Sequence, residues 1–335
     1  MKILLVVAAG LSLTAWIVWS VTMKMPLTSD TAFQEPLLPG ERALRPDLRL
    51  HVEKLGGEIG ERNLVHPAAL SAAARYLETT LTGYGYKVQT SEARTPAGSG
   101  LSSNLVVELR GATRPEEIVV IGAHYDTAPG APGADDNATG CAAVLVLAHA
   151  FAGKAQDRTL RFALFTNEEP PNTNADMGSL VYARQCRAHG DNVVAMMSLE
   201  TIGYYSDNSG SQKYPFPVNL MYPPVGNFLG FVGNIGSRGL VRQAIGVFRQ
   251  SRNVPSIGLS APAFIKGVDW SDHASFWEAG YPAIMITDTA LFRNPHYHKA
   301  SDTPDKIDYD RLARVTNGLQ EVTANLVRSK GAGND

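Results

Sequence analysis

Cysteine is scarce in this chain. Among 335 residues there are two, Cys141 and Cys186, too few for a disulfide scaffold or a cysteine-rich zinc module. Each sits in a stretch that reads as helix, so the expectation is two buried thiols packed as small apolar groups. A single bridge is the alternative in an oxidising compartment. An excess of either charge is also missing: 30 Lys and Arg oppose 32 Asp and Glu, a net charge of −2. No basic surplus exists to neutralise a phosphate backbone, so nucleic acid is not an expected partner. Internal repeats and low-complexity segments are not visible. What is present is apolar material, 44% of residues against 19% charged, which excludes a disordered or fibrous chain. The length suits two domains or one large α/β domain.

One long apolar run stands at the start, Ile3 to Val21, between Lys2 and Lys24. At ~1.5 Å per residue it spans about a bilayer core. Trp16 and Trp19 lie near its far end, where interfacial aromatics sit. No A-x-A-like cleavage site is evident, and no cysteine follows, so a lipoprotein is excluded. Residues 1–25 are therefore expected to be a transmembrane anchor, with a cleaved signal peptide as the alternative. Either would put the rest of the chain in the periplasm or outside the cell. Residues 26–47, with Pro26, Pro36, Pro39 and Pro46, read as a linker or extended arm. Residues 48–330 read as one domain.

Within it, Pro67–Gly83 has Leu70, Ala74, Leu77 and Leu81 on one helical face. Asn104–Leu109 is an expected strand. Then strands and helices alternate: Ile118–Ala123, helix Thr139–Gly153, Leu160–Thr166, helix Met177–His189, Val193–Leu199. Phe228–Gly233, helix Ser237–Ser251, Pro282–Thr287 and a closing helix Asp308–Arg328 follow. Buried runs alternating with helices predict a largely parallel sheet covered on both faces. Ligands of such sheets bind beyond the carboxyl ends of the strands.

Chemistry-bearing residues recur at those ends. The first central strand ends in His124-Tyr125-Asp126. Gly133-Ala134-Asp135-Asp136-Asn137-Ala138-Thr139-Gly140 directly precedes the long helix. Asp and Asn are ordinary turn and cap residues, yet adjacent carboxylates in a Gly-flanked loop repel unless a cation lies between them. Asn137-Ala138-Thr139 also matches a glycosylation acceptor, discounted because the loop has other work. The next strand ends in Asn167-Glu168-Glu169, where one carboxylate suits a metal and its neighbour suits a general base. Ser198-Leu199-Glu200-Thr201 closes the third. Ser271-Asp272-His273-Ala274, Asn294-Pro295-His296-Tyr297-His298 and Ser301-Asp302-Thr303-Pro304 come later. His51, His66, His149 and His189 stand outside these clusters and read as packing or surface residues. Two imidazoles and three carboxylates suit zinc. Five donors supply one bridging and four terminal ligands, the count a two-metal site needs.

In this order, the motifs HYD, GADDNATG, NEE, SLETIGYY, SDHASF and HYHKASDTPDKID resemble the zinc aminopeptidase family of bacterial leucyl aminopeptidase, aminopeptidase Y and glutamate carboxypeptidase. The likeness runs from about Arg62 to Leu312. It implies a three-layer α/β/α sandwich with a mixed, largely parallel sheet, and a metalloaminopeptidase with two Zn2+ ions. His124 and Glu200 would hold one ion, Glu169 and His298 the other, and Asp136 would bridge them before a cis peptide to Asn137. Glu168 would be the general base and Asp126 would orient His124. Asp272 and His273 match the family without being expected ligands. The implied substrate is a peptide with a free N-terminus, its α-amino group near the acidic ligands.

Three departures from the family stand out. Glu200 occupies a position where many relatives carry Asp. The stretch PPNTNADMGS after Glu169 is longer than the usual Gly-rich turn. Val268-Asp269-Trp270 precedes the SDH motif where some relatives place a Tyr that steadies the tetrahedral intermediate, so that role is either vacant or filled elsewhere, with Tyr297 as a candidate. Glutaminyl cyclases, with one catalytic zinc, share the fold and several motifs and form the main alternative. A non-catalytic ectodomain is the second, opposed by the absence of any apolar residue at a ligand position. Substrate-pocket walls are expected from loops 129–132, 170–177 and 205–227.

Overall fold

The run Ile118–Ala123 belongs to a strand buried on both faces. Val119, Ile121 and Ala123 join one apolar cluster, and Ile118 and Val120 join a second on the other side. A strand that alternates between two cores needs a layer of helices above and below. The computed structural model describes residues 16, 19–29, 33, 36–93, 102–170, 176–214, 216, 218–250 and 254–328. Among them one sheet contains β1 (Gln89–Ala93), β2 (Ser102–Leu109), β3 (Arg114–His124), β4 (Arg158–Phe165), β5 (Asn192–Glu200), β6 (Leu229–Gly233), β7 (Ser256–Ser260) and β8 (Ala283–Thr287). Its order is β1-β2-β4-β3-β5-β8-β6-β7. The central strands β4, β3, β5 and β8 are mutually parallel. The β1–β2, β2–β4 and β8–β6 pairs are antiparallel, and β6–β7 is parallel. The sheet is thus mixed with a parallel centre, as expected.

The larger core holds α1 (Pro39–Val52), α2 (Pro67–Gly83), α3 (Gly140–Phe151), α5 (Arg238–Gln250) and α7 (Tyr309–Arg328) on one face. The smaller holds α4 (Gly178–His189) and the short α6 (His273–Glu278) on the other. Helix α3 is apolar all round because other elements surround it: its residues from Gly140 to Ala148 are all buried. Cys141 and Cys186 are both free and buried, and burial pushes their thiols up, to about 12 and about 11.

The start of the domain lies earlier than its sequence suggests. The expected 26–47 linker contains most of α1, whose Leu48, His51 and Val52 are buried. Three prolines obscured it. Pro39 occupies the first helical turn, where a missing N–H costs nothing, and Glu41 Oε2 accepts the Leu38 N–H at 2.8 Å. Pro46 lies inside the helix but on an exposed turn. Residues 20–29 are also held. Arg238 donates to the carbonyls of Ser20 and Val21, Arg242 to that of Lys24, and Arg249 to those of Pro26 and Leu27. Among the described residues no helix is long and apolar enough to cross a membrane. Residues 1–15, 17 and 18 of the expected anchor lie outside the described residues, so the anchor gains no support here.

His51 is a packing residue, as expected. Its Nδ1 is 2.6 Å from the Tyr76 hydroxyl and its Nε2 is 3.2 Å from that of Tyr84. Burial lowers its pKa to about 4, Asp47 opposing and His149 assisting. The folded state therefore needs the neutral ring. Stability is full above the unfolded value near 6.5 and falls as pH drops toward 4, by up to ~3 kcal/mol. Urea midpoints measured in EDTA between pH 7 and pH 4.5 should fall less steeply for His51→Gln than for the wild type; parallel slopes would remove His51 as a cause.

Candidate metal centre and active site

The expected site residues converge on one edge of the sheet. His124 ends β3 and Glu200 ends β5, while Glu168 and Glu169 follow β4. Parallel strands put those three ends side by side. Asp136 comes from the tight turn Ala134–Thr139 between β3 and α3, and His298 from the loop after β8. Gly133 opens that turn with φ of 62°, a left-handed conformation that suits glycine. A Cβ there would lie 2.4 Å from Thr127 Cγ2.

Asp136 stands at the centre. Its Oδ1 is 3.3 Å from His124 Nε2 and its Oδ2 is 3.1 Å from His298 Nε2. Glu200 Oε2 lies 3.2 Å from the same nitrogen of His124, and Glu169 Oε1 lies 2.9 Å from that of His298. The five residues form two triads that share one carboxylate. His124, Asp136 and Glu169 each offer a donor atom within 4.8 Å of the others. His124 Nε2 and both Asp136 oxygens are buried without a hydrogen-bond partner. Buried polar atoms are nearly always paired. Lone-pair donors that face one another unpaired, of the N and O types that zinc prefers, fit a cation between them.

Electrostatics point the same way. Burial opposes charging His124, yet Glu200 and Glu168 outweigh it and push its pKa well up. Burial likewise opposes protonation of His298, and Asp136 and Glu169 raise it to about 10. Burial pushes Glu169 up to about 8, with Asp136 adding. Burial also raises Glu168 well above the carboxylate range. Without a cation this cluster is held together by protons, and a bound ion would reverse that logic.

The surrounding shell contains residues whose roles the motifs did not reveal. The Asp126 carboxylate was expected to orient His124, but its Oδ1 lies 3.6 Å from Nδ1, beyond a hydrogen bond. The ring nitrogen is nearer the Asp126 main-chain oxygen, at 3.2 Å. The carboxylate instead accepts the N–H groups of Glu168 and Glu169 at 3.1 and 3.0 Å. It thereby aims the adjacent pair. Asp302 accepts the N–H groups of Asp135 and Asp136 at 3.0 and 3.2 Å. Ser271 donates to Glu200 Oε2 at 2.8 Å and pairs with Ser198 at 2.9 Å. The Asn137 side chain donates to Leu199 O and accepts from Gly140 N and Thr201 N. It is fully buried, so it is no glycosylation acceptor in the folded chain. The Asp136–Asn137 peptide is cis.

Three non-glycine residues with positive φ flank or belong to the donor set: Asn167 at 59°, Thr201 at 44° and His298 at 56°. Such conformations cost ~1–3 kcal/mol each and cluster where function requires them. His296 is turned away, its Nδ1 2.9 Å from Ser301 Oγ. Asp272 and His273 are buried, and neither is among the three residues whose donor atoms lie within 4.8 Å of one another.

An apolar pocket opens beside Glu200 and Tyr297. Val232, Ile257, Ile265, Val268, Met285 and Leu291 are among its walls. Of the expected wall loops, 205–227 contributes Tyr214, Val218 and Tyr222. Loop 129–132 contributes nothing, and residues 171–175 lie outside the described residues. The rest comes from β6, β7, β8 and the segments after β7 and β8. Tyr297 stacks on His298 with ring centres 3.8 Å apart. Burial and the carboxylates of Asp136, Glu169, Glu200 and Glu168 all disfavour ionising its hydroxyl.

Residues 104–323, about two thirds of the chain, match the sequence profile of peptidase family M28. The chain is 36% identical over 271 residues to the uncharacterized protein YfbL of Escherichia coli, covering 76% of this chain and 82% of that one. It is 26% identical over 223 residues to a "Probable leucine aminopeptidase" of Trichophyton verrucosum, covering 62% of this chain and 53% of the relative. It thus spans about half the length of that curated relative. Among solved structures, a zinc aminopeptidase from Bacillus subtilis, BSAP, matches with a TM-score of 0.69 at 14% identity, over 90% of this chain and 98% of the other. The glutaminyl cyclase of Fimbriiglobus ruber matches with a TM-score of 0.62 at 21% identity, over 87% and 97%. The fold is shared with both, and the extent of the profile match together with the 36% identity decides the family: the chain belongs to peptidase family M28.

Proposed function

We propose that this chain is a dizinc aminopeptidase that removes N-terminal residues with apolar side chains. The observation that carries the reading is the shared carboxylate: Asp136 presents one oxygen to the His124–Glu200 pair and the other to the Glu169–His298 pair. That is the donor arrangement of two ions with one bridge. When bound, two zinc ions supply Lewis-acid polarisation of the scissile carbonyl and a nucleophile at neutral pH.

The chain's own groups do the rest. Glu168, held by its N–H on Asp126, accepts a proton from the attacking water and returns it to the departing amine as the C–N bond breaks. The Tyr297 hydroxyl, kept protonated among the carboxylates, donates to the carbonyl oxygen as negative charge develops there. The acidic donors attract the substrate's α-ammonium group. The apolar pocket beside Glu200 and Tyr297 receives the first side chain and excludes water from it. The apolar run Ile3–Val21 supports an exported enzyme from sequence alone.

The cyclase reading has one observation in its favour, the solved cyclase of the same fold. Against it, both halves of the donor set are complete. Bound zinc counted on the purified chain, paired with hydrolysis of leucyl, aspartyl and glutaminyl anilides, tests the two together. Two ions with release of aniline, fastest from the leucyl substrate, are expected. One ion with ring closure of glutamine would move the chain to the cyclases, and a preference for aspartyl substrate would overturn the role of the pocket.

A further inference from the structure

Arg62 lies before the region matched by the family profile, and its whole side chain is buried. Its guanidinium donates to five main-chain carbonyls. Nε reaches Tyr125 O at 2.6 Å. Nη1 reaches Leu55 O, Gly60 O and Pro132 O at 3.1, 3.0 and 2.7 Å. Nη2 reaches Gly133 O at 3.0 Å. The Arg62 N–H donates to Thr127 Oγ1 at 3.0 Å, and its carbonyl accepts the Thr127 N–H at 3.1 Å. A planar fork with five donors is used almost completely on backbone, which lysine could not reproduce.

The carbonyls it collects are not random. Tyr125 stands between His124 and Asp126 at the end of β3. Pro132 and Gly133 lead directly into the turn that carries Asp136. Leu55 belongs to the wide helical turn Glu53–Ile59 that continues α1, and Gly60 ends it. That turn abuts the Asp136 turn so closely that a Cβ on Gly56 would come within 2.7 Å of Ala134 Cα. One side chain therefore ties the strand bearing one imidazole to the turn bearing the shared carboxylate, with α1 as the wall behind. Burying a cation away from water is costly unless other charges compensate. Burial lowers the proton affinity of the guanidinium, and Cys141, Asp126, Asp302 and Asp136 oppose that effect only in part.

We propose that Arg62 is a positioning residue for the metal centre: it sets the separation of His124 from Asp136 and hence the zinc affinity of that half-site. This rests on the two-ion reading above. The half-site of Glu169 and His298 shares only Asp136 with this arrangement, its other two donors coming from the β4 and β8 loops, so the loss is graded: larger at the His124 ion, which Arg62 reaches through both strand and turn.

The test is competitive zinc titration of the full chain with a chromophoric chelator. Arg62→Lys keeps the charge and loses the fork. It is expected to weaken one ion ~10-fold or more and the other less than threefold. The weakening should persist in a His298→Ala background and shrink to less than threefold in a His124→Ala background, the signature of one coupled pair. A residue that merely staples the fold would lower the melting temperature and weaken both ions alike, and that result overturns the proposal. If Arg62→Lys fails to fold, Gly56→Ala presses on the same turn with Arg62 intact. That turn carries the carboxylate shared by both ions, so both should weaken, and unchanged affinity at both would overturn the proposal. A wild-type chain that binds one ion, retained by His124→Ala, would overturn the two-ion reading and the role of Arg62 together.

Discussion

Glu168→Gln should lower kcat by ~10³-fold, about the middle of the range that general acid–base catalysis supplies and ~4 kcal/mol of barrier. Zinc content and KM should change little. The amide is isosteric and keeps the backbone bond to Asp126, but it cannot take a proton. Glu168 also stands apart from the two triads that meet at Asp136. Loss of rate with retained metal is therefore the expected pattern. Single-turnover rates and bound zinc measured on the same sample decide it. A kcat within threefold of wild type would show that another group moves the proton. Loss of an ion would make Glu168 a ligand.

Asp136→Asn should act on both ions at once. The carboxylate is the one group common to the two halves of the site, and an amide offers one neutral oxygen in place of two charged ones. Bound zinc should fall from about two per chain to well below one, and activity should fall with it, since a two-metal centre needs its bridge. His298→Ala is the control, because it removes a donor from one half only and should leave about one ion. Zinc-dependent stabilisation gives an independent readout: ligand binding raises the melting temperature by mass action. That shift should disappear in Asp136→Asn and persist in part in His298→Ala. If Asp136→Asn keeps one ion at wild-type affinity, the carboxylate is a terminal ligand rather than a bridge.

Much of the fold was legible because burial leaves a simple pattern. The runs at Ile118–Ala123, Leu160–Thr166 and Val193–Leu199 are long, β-branched or aromatic, and separated by helical stretches. They became the parallel centre of the sheet. Short or edge elements were less legible. β1 (Gln89–Ala93), β7 (Ser256–Ser260) and α6 (His273–Glu278) carry too few apolar residues for periodicity to speak. Helix α1 was hidden by Pro36, Pro39 and Pro46, which read as linker punctuation. The distinction between proline in a first helical turn and proline in a linker is made by packing, here Leu48, His51 and Val52 against the core.

The site divides in the same way. The motifs that end the strands could be named beforehand from residue type and position, because parallel strands deliver their ends to one edge. The choice of Asp136 within its acidic pair, of Glu168 and Glu169 for different roles, and of His298 over His296 came from the family resemblance. The supporting shell could not be named. Asp302 reaches the Asp136 turn across 166 residues of chain, Asn137 ties the same turn to β5, and Asp126 serves Glu168 and Glu169 rather than His124 alone. Those contacts leave no periodicity and no local motif.

By itself the sequence determined the layered α/β architecture and the chemistry-bearing motifs at its strand ends, with the resemblance to a known family choosing the candidate donors among them. Architecture and motif placement depend on residue type and local spacing, which hydrophobic burial and strand direction convert into structure with little freedom. The tertiary structure alone decided where the domain begins, which loops wall the apolar pocket, and how Arg62 and Asp302 hold the Asp136 turn. Each of these depends on contacts between segments far apart in the chain. Their energies come from burying and pairing particular groups in three dimensions, and no local pattern encodes them.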